Sequence, residues 1–356
     1  MGAGRSANSK PLKIILSAVA VAALAAAAAY SLVGGEEDAP DGGFAARTLK
    51  SSRSALRRPS PSALSGGPPE RARAGAGLGG RSGGVADSAG DRPAVPSGID
   101  ELIARVRALA EEGNSAGAVS LCLESLKNNP GDPALKMELG FAYAEDGRPE
   151  LAKEMFEERL KENPNDPEAN FGIGVAEKMS GNIDDALDYF NEALRLDPGH
   201  PDAKFNVADI LTFERARRGA AADIYLAEKY FGELLAADPG DADAQNGLAA
   251  VYLSTGRAGM AADLWEGLAR ALPEESVVLS NLGEAYLAMD RPDKAHQSAR
   301  RALEIDPENS DAYYFMGKAE IAMGNREAGI EAISRAAEMD PENADYAREL
   351  LRLAGE

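Results

Sequence analysis

Residues 167–200 read PEANFGIGVAEKMSGNIDDALDYFNEALRLDPGH, and their spacing decides the fold. Ile173 and Gly174 are followed by Ala186, Phe190, Ala193 and Pro198. Small residues at fixed places let two antiparallel helices approach closely, while the larger apolar residues fill the space between neighbouring pairs. The chain turns at Gly181 and again at Asp197-Pro198-Gly199, where helical geometry cannot continue. The stretch is one helix-turn-helix unit.

The unit recurs on both sides. Its closing proline returns as Pro130, Pro164, Pro198, Pro239, Pro273, Pro307 and Pro341, with gaps of 34, 34, 41, 34, 34 and 34 residues. This gives units at 99–132, 133–166, 167–200, 201–241, 242–275, 276–309 and 310–343, with residues 344–356 as a closing helix. That last segment is apolar at Tyr346, Leu350 and Leu353 and charged elsewhere, as a cap requires. A single unit cannot bury its own apolar face, so stability comes from stacking.

The pattern resembles the tetratricopeptide repeat (TPR) family. It is carried by Leu139, Gly140, Tyr143, Ala152, Phe156 and Pro164, and again by Leu282, Gly283, Tyr286, Ala295, Ala302 and Pro307; Trp265 and Pro273 belong to a weaker copy. Arg105 and Val106 depart from it in the first unit and Gly329 in the seventh, both at ends of the stack. The resemblance implies an all-α, right-handed superhelical solenoid of about seven TPR units plus a C-terminal capping helix, with protein binding as its role.

The N-terminal part is different. After a short basic segment, 1–13, residues 14–33 are uncharged over a length that matches the ~30 Å core of a bilayer. Arg5, Lys10 and Lys13 precede this stretch and Glu36, Glu37 and Asp38 follow it. The expectation is a signal anchor with the N-terminus in the cytoplasm and the repeats on the extracytoplasmic, periplasmic side of the cell membrane. A cleaved signal peptide, leaving a soluble exported chain, is the alternative. Residues 34–98 contain 14 Gly, 7 Pro and 9 Ser and read as a disordered linker. A coil of that length spans ~45 Å.

Charge narrows the partners. Residues 99–356 hold 26 Lys and Arg against 51 Asp and Glu, a net charge near −25. Such a surface repels phosphate backbones, so the expected partner is a protein offering a basic or apolar segment, and not nucleic acid.

Catalysis and metal binding need converging groups. His200 and His296 are the only histidines and lie about three units apart, which excludes a shared metal site. The sequence has no GxSxG elbow, no phosphate-cradling GxxxxGK and no Cys and His pair in plausible contact. Cys122 stands where Phe156 and Phe190 stand in the next two units and reads as a buried apolar side chain. Neither enzyme activity, nor a cofactor, nor a metal is expected.

The resemblance further implies an inner surface lined by the first helix of each unit, at about its second, fifth, ninth and twelfth positions. Along the stack these give Met137 and Phe141, Phe171 and Val175, Phe205 and Asp209, Asn246, Ser280 and Glu284, then Tyr314 and Lys318. Met137, Phe141, Phe171, Val175, Phe205 and Tyr314 are the candidate peptide-binding stripe, with Phe171 and Phe205 in a partly exposed apolar floor. The competing reading is helix packing. Family members that hold a chaperone's C-terminal carboxylate use Lys, Asn and Arg at these places, a set this chain lacks. The long fourth unit adds 7 residues near Thr212 to Ala221. It carries Arg215, Arg217 and Arg218, a candidate docking knob for acidic groups; a solvated insertion is the alternative.

These readings converge on a membrane-tethered, non-enzymatic scaffold that captures a protein segment, in the assembly of an envelope, secretion, pilus or cytochrome complex. The alternative is a regulatory or structural subunit of an enzyme complex whose catalytic residues lie on another chain.

Overall fold

The computed structural model describes residues 98–213, 221–341 and 343–355. Among these, 15 helices and no strands are present. They run in pairs: α1 (Ile99–Glu111) with α2 (Ser115–Asn128), α3 (Pro133–Glu145) with α4 (Pro149–Glu162), α5 (Pro167–Met179) with α6 (Ile183–Leu196), and α7 (Pro201–Phe213) with α8 (Ala221–Ala237). Then follow α9 (Ala242–Ser254) with α10 (Ala258–Ala271), α11 (Ser276–Ala288) with α12 (Pro292–Ile305), α13 (Ser310–Ala322) with α14 (Arg326–Met339), and the single α15 (Ala344–Gly355).

Local chemistry sets the ends. Asp132 accepts from the N–H groups of Ala134 and Leu135 at 3.0 and 2.9 Å, and Asp166, Asp241 and Asn309 cap their helices likewise. Pro133 and Pro167 begin their helices where no backbone donor is needed. Inside the pairs the turn is made at positive φ by Gly113, Gly147, Gly181, Gly256 and Gly324, and by Asp290 at φ 55°. An aspartate there bears a steric cost that glycine does not.

The described residues divide into two compact units, with the boundary inside α7 between Ala203 and Lys204. In the first, Val106, Ala118, Val119, Cys122, Leu139 and Ala142 form a core cluster, with Cys122 fully buried. Phe156 of α4 fills the gap that Gly140 and Gly172 leave: a Cβ on either glycine would lie 2.7 or 2.6 Å from its ring. In the second unit Trp265 is fully buried among Ala249, Ala262, Val278 and Leu282. At its C-terminal end Tyr346, Leu350 and Leu353 of α15 close over Phe315, Ile330 and Ile333.

Among the described residues no helix is long and apolar enough to cross a membrane. The expected anchor at residues 14–33, all but the last residue of the expected linker at 34–98, and Arg215, Arg217 and Arg218 lie outside the described residues.

Two substitutions test this architecture by thermal and denaturant unfolding. Asp290→Gly should raise stability by up to about 1 kcal/mol, because it relieves a left-handed conformation without removing packing. Gly172→Ala should lower it by about 1–3 kcal/mol, because the added methyl meets the Phe156 ring.

Candidate binding face

In the first compact unit the expected stripe lies inside the helix packing. Met137 is 5% exposed, Phe141 2%, and Phe171 and Val175 are fully buried. The ring centroid of Phe141 lies 4.9 Å from that of Phe156 and 6.2 Å from that of Phe171. Phe171 in turn lies 5.6 Å from Phe190 and 4.9 Å from the imidazole of His200. Its ring is therefore enclosed by side chains from α3, α6 and the turn before α7.

In the second unit Phe205 is buried edge-on against Phe231, at 5.8 Å. Tyr314 is buried between Phe315 at 5.4 Å and Tyr346 at 5.1 Å. Burial, then the charges of Glu349, Asp345 and Glu284, push the Tyr314 phenol well above its ordinary pKa. The anticipated partly exposed floor is corrected on this point: all six side chains are buried in packing. Phe141 and Phe171 meet each other, whereas Phe205 and Tyr314 sit in separate clusters.

The polar positions divide into those satisfied by the fold and those that are not. Asn246 Oδ1 accepts from Trp265 Nε1 at 2.9 Å and from Asn281 Nδ2 at 3.1 Å. Ser280 Oγ accepts from Asn309 Nδ2 at 2.9 Å. Both positions therefore tie helices together. Glu138 accepts from Arg107 Nε at 2.8 Å. Glu177 accepts from Lys153 Nζ at 2.6 Å and Asn182 Nδ2 at 2.7 Å, and these bonds hold its carboxyl below the ordinary value.

Glu168 and His200 differ. Glu168 Oε1 lies 3.5 Å from His200 Nε2, without hydrogen-bond alignment. Glu168 Oε2 and His200 Nε2 are buried and have no hydrogen-bond partner. The N–H of Ala203 donates to His200 Nδ1 at 3.3 Å, so the neutral ring carries its proton on Nε2, facing Glu168. Burial drives the imidazole pKa down, but the carboxylates of Glu168, Asp202 and Asp197 outweigh it and leave it above the ordinary 6.5. Among the described residues no group of three or more His, Cys, Asp or Glu is placed to hold a metal. His296 pairs separately with Glu320 at 2.9 Å.

Sequence reading passed over this pair, though a signal was there. The residue before the first helix is Asp132, Asp166, Asp241 or Asn309 in four other repeats, each accepting from its helix N-terminus. His200 takes the same place and caps through Nδ1, but as an imidazole where the others carry a carboxylate or amide; Gly98 and Glu275, at that place in two further repeats, make no side-chain cap bond, and His200 lies 32 residues from Glu168 in the sequence.

Two measurements follow. Phe171→Ala should lower the unfolding free energy by ~3–5 kcal/mol in denaturant titration, as for a ring lost from a packed core. Lys153→Ala should flatten the acid limb of the stability curve. The folded pKa of Glu177 is lowered, so its contribution is full above the unfolded value near 4.5 and fades as pH falls through the folded one.

Comparison with known proteins agrees with the geometry. Sequence models of the tetratricopeptide repeat match residues 137–201, 179–227, 217–276 and 286–353, together more than half of the chain. No curated protein sequence matches significantly. A tetratricopeptide repeat protein from Parabacteroides merdae is similar in structure with a TM-score of 0.51 and 18% identity, over 72% of this chain and 98% of that one. A chain of the APC/C hetero-tetramer Cut9-Hcn1 is similar with a TM-score of 0.58 and 18% identity, over 73% of this chain and 50% of that one. PilW, a widely conserved type IV pilus biogenesis factor, gives 0.52 and 18% over 62% of this chain and 98% of its own. At such identity the likeness is one of fold. What the 34-residue spacing implied these matches establish: the chain belongs to the tetratricopeptide repeat family.

Proposed function

We propose that this protein-interaction scaffold is non-enzymatic, tethered to a membrane, and captures a basic protein segment, with Glu168 and His200 as an anchoring point. The observation that carries the reading is the pair of buried atoms, Glu168 Oε2 and His200 Nε2, left without hydrogen-bond partners. A buried polar group in that condition costs about 1–3 kcal/mol until a partner arrives. A Lys or Arg side chain supplies the N–H donors that Glu168 lacks, and His200 Nε2–H can donate to a backbone carbonyl of the same segment. Glu168 keeps 11% of its side chain exposed, which leaves a route for Oε2 to turn outward. The acidic surrounding surface draws a cationic segment in.

The tether rests on residues 14–33 and on the change of charge across them, from Arg5, Lys10 and Lys13 to Glu36, Glu37 and Asp38. We place the repeats on the extracytoplasmic side, in the assembly of an envelope complex.

The full-length chain should remain in the membrane pellet after a high-salt wash; recovery of a soluble chain starting near Tyr30 would overturn the anchor. Crosslinking in the native cell yields the captured segment, whose affinity is then read by titration. Glu168→Gln should weaken it about tenfold while the variant keeps the helical circular dichroism of the parent. Affinity for the parent protein should rise as pH climbs through the raised His200 pKa, above 6.5, because the imidazole loses its positive charge and competes less for Glu168. Equal affinity of the variant, or a flat pH profile, removes these residues from the site.

A further inference from the structure

We infer that the cavity bounded by α10, α11 and α12 binds a segment of a partner protein that carries acidic side chains beside an apolar one. The cavity has a volume of about 640 Å³, room for a few side chains. Leu279 and Leu282 of α11 line it, together with the exposed Arg270 of α10 and Lys294 and Arg301 of α12. The site lies wholly in the second compact unit and shares no residue with the Glu168 and His200 site, so it does not depend on the reading of that site.

Charge selects the occupant. Arg270, Lys294 and Arg301 make no ion pair with any described residue, whereas Lys153, Arg159, Lys204 and Arg257 each reach a carboxylate at 2.6–2.8 Å. Where 51 carboxylates face 26 cations over residues 99–356, most of the described cations reach a carboxylate; Lys127, Lys161, Arg291 and Lys318 are the others that make no ion pair with a described residue. Here three line one cavity. The one carboxylate in the lining, Glu266, already accepts from the Tyr286 hydroxyl at 2.6 Å. Burial and then that carboxylate push the Tyr286 phenol up to about 12, so it stays a donor, and Lys294 lies over its ring at 4.9 Å. Carboxylates of an incoming segment complete the rim, and its apolar side chain rests over Leu279 and Leu282.

Short random peptides displayed on phage, selected on the full-length protein and counter-selected on its Arg270→Glu, Lys294→Glu, Arg301→Glu triple variant, test this. The expected result is enrichment of sequences with paired Asp or Glu beside Leu, Phe or Met. Their synthetic forms should bind the triple variant at least about tenfold more weakly, and lose a similar factor in about 0.5 M salt. Glu168→Gln should bind them as the parent does, which separates this site from the other. If the triple variant unfolds, the corresponding triple Gln variant should show the same loss to a smaller degree. Enrichment without acidic residues, or equal binding by the variants, overturns the proposal. So does self-association of the parent protein that the triple variant abolishes, since the cavity would then take a second copy of this chain.

Discussion

A ring set into a gap between glycines is the contact on which the rest of the structure depends. Phe156 stands against Gly140 of its own helix pair and Gly172 of the next, at distances that exclude even a methyl group. Phe190 against Gly174 and Ile333 against Gly317 make a like contact within one pair, and Phe231 against Gly247 makes it with the next pair. Because the Phe156 wedge draws its room from two successive pairs, neither of those pairs completes its core alone, as expected where stability resides in stacking.

The same close approach explains why the aromatic stripe is not a surface. When α3 and α5 are drawn together, Phe141 and Phe171 fall within contact of each other and of the wedge residues. Apolar side chains at the fifth and ninth positions are consumed in joining first helices. The polar groups on these helices, carboxylates and amides, are mostly committed to neighbouring helices, with Glu168 Oε2 and His200 Nε2 among the buried atoms left without a hydrogen-bond partner.

The acidity of the repeats acts at two scales. Over the surface the excess of 51 carboxylates over 26 cations sets a negative field. Locally it pairs many basic side chains and thereby makes the exceptions visible, as at Arg270, Lys294 and Arg301.

Residue spacing alone determined that the chain is a stack of helix pairs, because prolines, turn glycines and small residues at a 34-residue period allow no other regular solution. It also determined the capping helix, through Tyr346, Leu350 and Leu353, whose period leaves one apolar face to close the stack. The candidate site was legible only in part. The first helices were identifiable, but whether Phe171 faces solvent or core depends on how near the next pair comes, a distance that Gly140 and Gly172 permit and only the packed Phe156 ring fixes. Likewise the meeting of Glu168 with His200 across 32 residues, and of Arg270 with Lys294 and Arg301 around one cavity, arises when helices distant in sequence pack side by side. Periodicity assigns a residue to a face; tertiary packing decides what that face touches.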